Sequence, residues 1–301
     1  MTLEVNIKPT QDISQLPSLG VVAISYNEEK DMPGFIDNLF PWVDEIVIVD
    51  DGSIDMTEQI VEDAVEKVKF IKSPRKVGEY YSDQRNKGIA ASGSDWLLHM
   101  DIDERVSPEL AEEIRSLIVD KGKDAFRFRR LNFFLHKPMR GGGWQDWNMV
   151  HLARRKVLHF EGMFHEVCVL GSPEDKIGQL QNKMWHLNDD SYKSRMRKSF
   201  NYCQELSGRI KKRFNKIRWF HIICLPVFEF IRKYIFKAAC RDGIRGLIFS
   251  MHSAGAMFRA CALAWDEQNQ TSRTDLENRM VDLWKQSDVL QKLNKKAMNN
   301  E

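Results

Sequence analysis

Asp95–Glu104 reads DWLLHMDIDE: a short apolar run that ends abruptly in three carboxylates, Asp101, Asp103 and Glu104. An apolar run of this length, bounded by polar residues, is the signature of a strand buried on both faces of a parallel sheet. Upstream, Gly20–Ser25 (GVVAIS) runs into Tyr26-Asn27-Glu28-Glu29, and Glu45–Val49 (EIVIV) runs into Asp50-Asp51-Gly52-Ser53. A third short strand is expected at Lys69–Ile71. Helical spacing is expected over Asp31–Leu39, Thr57–Val65, Tyr80–Ala91 and Pro108–Val119, the last with Ser107 as its N-cap. Strand and helix alternating at this spacing predict a parallel α/β sheet with right-handed crossovers.

Open parallel sheets bind ligands beyond the carboxyl ends of their strands. Asn27-Glu28, Asp50-Asp51 and Asp101-x-Asp103 all sit at such ends. One acidic residue after a strand is commonly a turn or helix cap; three clusters at successive strand ends converge on a ligand. Two carboxylates bracketing one residue can approach a hard divalent cation, Mn2+ or Mg2+, which takes oxygen ligands and bridges protein carboxylates to a diphosphate. Such a metal offsets the charge that builds on a departing nucleoside diphosphate. The glycine fingerprints of dinucleotide-binding folds and of P-loop enzymes are both missing from the sequence.

Val22–Glu29 (VAISYNEE), Val47–Asp55 (VIVDDGSID), Gln84–Gly88 (QRNKG) and Asp95–Glu104 together resemble the family 2 glycosyltransferases of GT-A fold, in order and spacing over the first ~190 residues. The resemblance implies a nucleotide-diphospho-sugar donor, UDP-linked, and inversion at the anomeric carbon. It implies that Asn27, Glu28, Asp50 and Asp51 lie around the nucleoside and that Arg85 lies near the base or diphosphate. It places Asp101 and Asp103 at the diphosphate as the metal pair, Asp103 being the direct ligand. Ile102 stands where the family carries a small residue and is expected to point away from the metal. Gly142-Gly143-Trp144, Val150–Arg155 (VHLARR), Phe164-His165-Glu166 and Trp185-His186 are similar to the lipopolysaccharide core β-1,4-glucosyltransferase group, which usually has Arg where His151 stands.

Past Ala125 the pattern changes. Strands are expected at Ala125–Arg129, Val150–Ala153 and Met163–Val169, with a glycine-rich loop between the first two. Inverting transfer is a single displacement and needs one base for the acceptor hydroxyl. Glu166 is the candidate, with Glu161 and Asp146 as rivals and a surface glutamate on a strand edge as the plain alternative. His165 and His186 are candidates to support the site by hydrogen bonds or as a further metal ligand. Trp144 and Trp147 either stack on a sugar face or pack their loop onto the domain.

The domain plan is an N-terminal extension over residues 1–18, a transferase domain over 19–190 (donor half 19–105, acceptor half 106–190) and a helical C-terminal region over 191–301. Between Ser191 and Arg245 stand fifteen Lys or Arg against three Asp or Glu, although the whole chain carries a formal charge of only +2. Lys211-Lys212-Arg213, Lys216 and Arg218 lead into Trp219–Ile231, the longest apolar window noted, which is shorter than the roughly 20 residues that span a bilayer. Basic residues beside large apolar ones fit a helix lying in a membrane interface, although a solvated helix face explains many such runs. No nucleic-acid module is recognisable, so nucleic acid is not expected as a partner. Five dispersed cysteines and no signal-like opening favour a reducing cytoplasm. The expected function is therefore an inverting sugar transfer to a glycolipid or saccharide acceptor, at the cytoplasmic membrane's inner face. A same-fold transferase acting on a peptide side chain and a catalytically silent nucleotide- or membrane-binding scaffold are the alternatives.

Overall fold

The computed structural model describes residues 16–64, 66–162, 167–189, 191–289 and 292. They form two compact units: residues up to Arg195 together with Lys233–Phe249, and Met196–Arg232 together with the residues from Ser250 onward.

The first unit is α/β. In chain order it contains β1 (Leu19–Ser25), α1 (Met32–Leu39), β2 (Glu45–Asp50), α2 (Thr57–Glu62), β3 (Val68–Lys72), α3 (Tyr81–Ala91), β4 (Trp96–Asp101), β5 (Glu104–Arg105) and α4 (Pro108–Leu117). There follow β6 (Ala125–Phe134), β7 (Lys137–Pro138), β8 (Asn148–Arg154), β9 (Leu158–Glu161), β10 (Val167–Leu170), β11 (Ile177–Gln179) and β12 (Met184–Asp189). A ten-stranded sheet runs in the order β3-β2-β1-β4-β8-β6-β12-β5, with β7 and β11 also paired to β6. β3, β2, β1 and β4 are mutually parallel, and β8 runs antiparallel between β4 and β6. This is the mostly parallel GT-A type of sheet expected from the sequence.

Strand alternation divides the core in two. Leu19, Val21, Ala23, Ile46, Ile48, Trp96, Leu98 and Met100 pack with α1, α2 and α4 on one face. Val22, Val47 and Leu97 face the other way, where Ile89 of α3 and Phe160 of β9 cover them. Both faces are buried, which is why these strands read as continuous apolar runs. Ser107 caps α4 as expected, its hydroxyl accepting from the Leu110 amide at 3.3 Å. β6 extends well past the expected end at Arg129, because its second half pairs in parallel with β12.

Lys233–Phe249 joins this unit through the glycine run. A side chain on Gly141 would meet the Ala238 carbonyl at 2.3 Å, so only glycine allows that approach. The backbones then bond: the Gly142 amide donates to the Lys237 carbonyl at 2.7 Å, and the Arg140 and Gly141 amides donate to the Asp242 carboxylate.

The second unit is helical and takes in most of α5 (Tyr192–Arg213), α6 (Trp219–Ile231), most of α7 (Ile244–Asn269) and α8 (Arg273–Lys285). Its core is Ile210, Ile217, Ala260, Cys261 and Ala264. By length and composition alone α7 could cross a membrane, with 33% of its most apolar window buried. Arg245 and Arg259 interrupt its apolar run in the sequence.

Gly88 lets α3 settle on β1: a methyl there would meet Cγ1 of Val22 at 2.4 Å. Gly88→Ala is expected to lower unfolding stability by about 1–3 kcal/mol through overpacking, despite alanine's better helix propensity. Urea unfolding of the two proteins measures the difference, and a more stable variant would refute this packing account.

Candidate active site

The parallel register places the three polar clusters side by side. Ser25 pairs with Asp50, and Ile24 with Asp101, across adjacent strands. Within that row the carboxylates have different work. Asp50 is buried, and its oxygens accept from the Ser25 hydroxyl (2.9 Å), the Gly52 and Ser53 amides (2.9 and 2.8 Å) and the Ser53 hydroxyl (2.5 Å). Four donors fill its acceptor positions, so it shapes the turn that carries Asp51. Asn27 adopts a left-handed backbone (φ +55°). Its amide donates to the Ser53 hydroxyl at 2.8 Å and its side-chain oxygen accepts from the Ile54 amide at 2.9 Å, tying the first loop to the second. Glu28, half-buried, anchors its backbone on the Thr57 hydroxyl at 2.8 Å. Asp51 grips Arg75 twice, accepting from its amide and its Nε at 2.7 Å each, and the Arg75 guanidinium lies 3.9 Å from the centre of the Tyr81 ring.

The end of β4 carries a dense charge cluster. Asp101 accepts from Arg85 Nη2 at 2.8 Å and from Arg130 Nη2 at 3.0 Å. Arg130 Nε also contacts Glu104, which is fully buried and accepts from the Asp101 amide at 2.8 Å. Burial raises the Asp101 carboxyl, but the Arg85 and Arg130 guanidiniums outweigh it and hold it well below the usual carboxylate range. Burial drives the Glu104 carboxyl upward; Arg130 opposes this and the nearby Asp101 charge adds to it. Ile102 is buried in the core, as expected of a residue turned away from a ligand.

Two histidines lie beneath. His99 Nδ1 sits 3.2 Å from Arg85 Nη1, and because a guanidinium only donates, Nδ1 accepts. His151 Nδ1 faces the His99 carbonyl at 3.3 Å, which leaves Nε2 buried without a hydrogen-bond partner. Burial and the Arg85 charge push His99 well below its ordinary value. Burial and Arg130 bring His151 down to about 3. Both rings are neutral at physiological pH.

Asp103 is set apart from this cluster. Its backbone carbonyl accepts from the Leu187 amide at 2.9 Å, and its Oδ2 lies 3.3 Å from His186 Nε2. The parallel pairing of β12 with β6 puts His186 beside Asn132, whose side-chain oxygen is 2.7 Å from His186 Nδ1. In the tautomer that donates from Nδ1 to that oxygen, Nε2 would be free to share a cation with the Asp103 carboxylate. Asn132 thus supports His186 from behind, the arrangement that orients a metal-binding histidine. Among the described residues no group of three or more His, Cys, Asp or Glu side chains converges.

Of the remaining expected residues, Glu166 and His165 lie outside the described residues. The chain on either side of them is placed: Val167 pairs with Glu161, and the Gly162 carbonyl accepts from the Ser82 hydroxyl at 2.9 Å, in the first turn of the helix that carries Arg85. Glu161 is exposed at the end of β9, and Asp146 is ion-paired to Lys237 at 2.6 Å. Trp144 packs edge-on against Phe249 and Phe134, with ring centres 4.6 and 6.1 Å apart, so its apolar surface is spent on its own loop. Trp147 is 44% exposed and lies 5.2 Å from the Arg130 guanidinium, which makes it the tryptophan at the charge cluster. Arg130 and Asn132 went unseen in the sequence because the strand was ended at Arg129. The Arg127–Arg130 repeat (RFRR), in which charge interrupts a strand otherwise buried, was the available signal.

The buried neutral histidines make stability depend on pH. Their native pKa values are lowered, so the unfolded chain binds more protons and stability falls as pH drops below about 6.5, for His151 toward its native value of about 3. Each histidine contributes a slope of at most about 1.4 kcal/mol per pH unit. Replacing His151 by Phe is expected to reduce the acid slope by up to that amount between about pH 6 and pH 4. Urea titrations of both proteins across this range measure it, and identical slopes would show that His151 is not neutral in the native state.

The domain description of glycosyl transferase family 2 matches residues 20–171. A glycosyltransferase of Rickettsia felis, itself uncharacterized, is 24% identical over 255 residues, covering 81% of this chain and 88% of that protein. The lipopolysaccharide core biosynthesis glycosyltransferase LpsC of Rhizobium meliloti is 23% identical over 273 residues, covering 88% of this chain and 98% of LpsC. Glucosyl-3-phosphoglycerate synthase of Mycobacterium tuberculosis, solved with Mn2+, UDP and glucosyl-3-phosphoglycerate, aligns with a TM-score of 0.43 at 19% identity over 62% of this chain and 79% of that one. The sheet, the strand-end clusters and the domain match agree: this chain belongs to glycosyl transferase family 2 and is a glycosyltransferase.

Proposed function

We propose that the protein transfers a sugar from a UDP-linked donor, with inversion, to a hydroxyl of a lipid-linked saccharide of the lipopolysaccharide-core kind. The observation that carries this reading is the division of labour in the D-x-D. Asp101 is engaged by two guanidiniums, whereas Asp103 lies beside Nε2 of His186, whose other ring nitrogen contacts Asn132. One carboxylate and one imidazole fit a divalent cation that draws its remaining ligands from a diphosphate and water. Mn2+ suits the mixed oxygen and nitrogen set better than Mg2+. When bound, the ion supplies Lewis-acid stabilisation of the departing diphosphate.

The chain's own groups supply the rest. Arg85 and Arg130 keep Asp101 ionised and add positive charge near the diphosphate. Asn27 and Asp51 hold the two loops that would frame the nucleoside, with the Tyr81 ring and Arg75 beside them. Glu166 is the proposed base that takes the proton of the acceptor hydroxyl as its oxygen attacks the anomeric carbon and UDP leaves. The overall likeness to LpsC supports an acceptor of the lipopolysaccharide-core class, and a lipid-linked acceptor would bring the enzyme to the inner face of the cytoplasmic membrane.

Calorimetric titration of UDP, with Mn2+ and then with EDTA, tests the donor site. Binding is expected only with the metal. Asp103→Asn is expected to remove the metal-dependent part and lower turnover at least about a hundredfold, and Asn132→Ala to weaken metal affinity about 10–100-fold. Equal UDP affinity in EDTA would refute the metal reading, and no UDP binding in either condition would refute the donor assignment.

A further inference from the structure

α6 has an apolar surface on both sides. Ile222 and Leu225 turn inward to pack with the core of the helical unit. Trp219, Phe220, Ile223, Val227, Phe228 and Ile231 turn outward, with Trp219 73% and Phe228 58% exposed. At 100° per residue these six cover an arc of about 180°. The one other exposed side chain within the arc is the thiol of Cys224. The single acid of the helix, Glu229, is buried and held by Arg232 through two bonds of 2.7 and 2.8 Å. A helix that is apolar all round belongs in a core or in lipid. Contiguous apolar patches of more than a few hundred Å2 are rare on soluble monomers without a binding role.

The flanking charge says what covers this face. From Arg209 to Arg218 the chain holds six Lys or Arg and no Asp or Glu. Lys212, Arg213, Lys216 and Arg218 are exposed immediately before the apolar arc begins. A second copy would bring the same cations against these, and like charges disfavour that pairing. An anionic lipid surface is complementary to both features at once, since headgroups meet the cations and acyl chains meet the apolar arc. Trp219 stands at the boundary between the two, where an amphipathic ring sits at headgroup level. Thirteen residues extend about 20 Å, too short to cross a hydrocarbon core of about 30 Å.

We infer that α6 docks the protein in the plane of an anionic bilayer, with its outer face inserted among the acyl chains and the Arg209–Arg218 segment on the headgroups. This deepens the reading of a lipid-linked acceptor, but it stands on the surface chemistry of α6 and not on the donor site.

Flotation of the full chain with phosphatidylglycerol–phosphatidylethanolamine vesicles and with neutral phosphatidylcholine vesicles tests it, UDP binding being measured on every sample. The protein is expected to float with the anionic vesicles, at least tenfold more strongly than with the neutral ones. Ile223→Glu with Phe228→Glu should lower partitioning at least tenfold and leave UDP affinity unchanged. If that pair disturbs folding, Ile223→Ser with Phe228→Ser replaces it. Lys212→Glu with Lys216→Glu should lower binding to anionic vesicles alone, and high salt should mimic it. Absent flotation, or flotation indifferent to the α6 variants, overturns the inference. So does a concentration-dependent dimer abolished by them, which would make the face an interface between copies. Flotation without UDP binding would sink the donor reading and leave this one intact.

Discussion

A buried carboxylate must be matched by positive charge within contact distance, and at the end of β4 that requirement organises the site. Asp101 draws one guanidinium from α3 and one from β6, and the second of these also serves Glu104. Two guanidiniums therefore serve two carboxyl groups in a part of the protein where an unpaired ion is strongly destabilising, by several kcal/mol. That matching is complete only when α3, β4 and β6 are all docked. The electrostatics thus impose on the two halves of the sheet a mutual position that apolar packing alone would leave looser.

The same group explains why the neighbouring histidines are neutral. His99 lies against Arg85, and His151 lies near Arg130. Protonating either ring would add a third positive charge beside two guanidiniums. Strand geometry completes the arrangement. Side chains alternate along β4, so Trp96, Leu98 and Met100 enter the core packed by α1 and α4 and Asp101 leaves on the other side; Ile102, in the turn that follows, joins that core. Asp101 ends the hydrogen-bonded strand and is captured by the arginines. Asp103, two residues on, is past the strand and meets β12 instead.

The donor half was legible because strands covered on both faces carry a strong signature. β1, β2 and β4 were each found within a residue or two of their ends, and the polar clusters followed from them. The acceptor half was less legible for a physical reason. β6 changes neighbours midway, pairing first with β8 and β11 and then with β12, so its pattern of burial changes too and the apolar signal stops at the Arg129-Arg130 pair. Arg130 and Asn132 lay beyond that apparent end. Attachment of Lys233–Phe249 to the sheet depends on a backbone approach at Gly141 that no periodicity encodes. Two tryptophans three residues apart differ in role because Phe249, more than a hundred residues later, fills the space beside Trp144 and not beside Trp147.

Magnitudes decide what kind of contact α6 can make. Full burial of a large apolar side chain contributes about 1.5–3 kcal/mol. Six such side chains, each already partly covered on the protein, would then gain on the order of 5–8 kcal/mol on entering lipid. Association removes roughly 4–15 kcal/mol of translational and rotational freedom. The apolar arc alone is therefore marginal. Each basic residue near an anionic surface adds about 1 kcal/mol, and the exposed cations before Trp219 shift the balance toward binding. With the apolar gain inside the range of the cost, the charges tip the balance, so docking would respond to lipid composition and salt. That reversible regime suits the proposed transfer from a water-soluble donor to a bilayer-held acceptor.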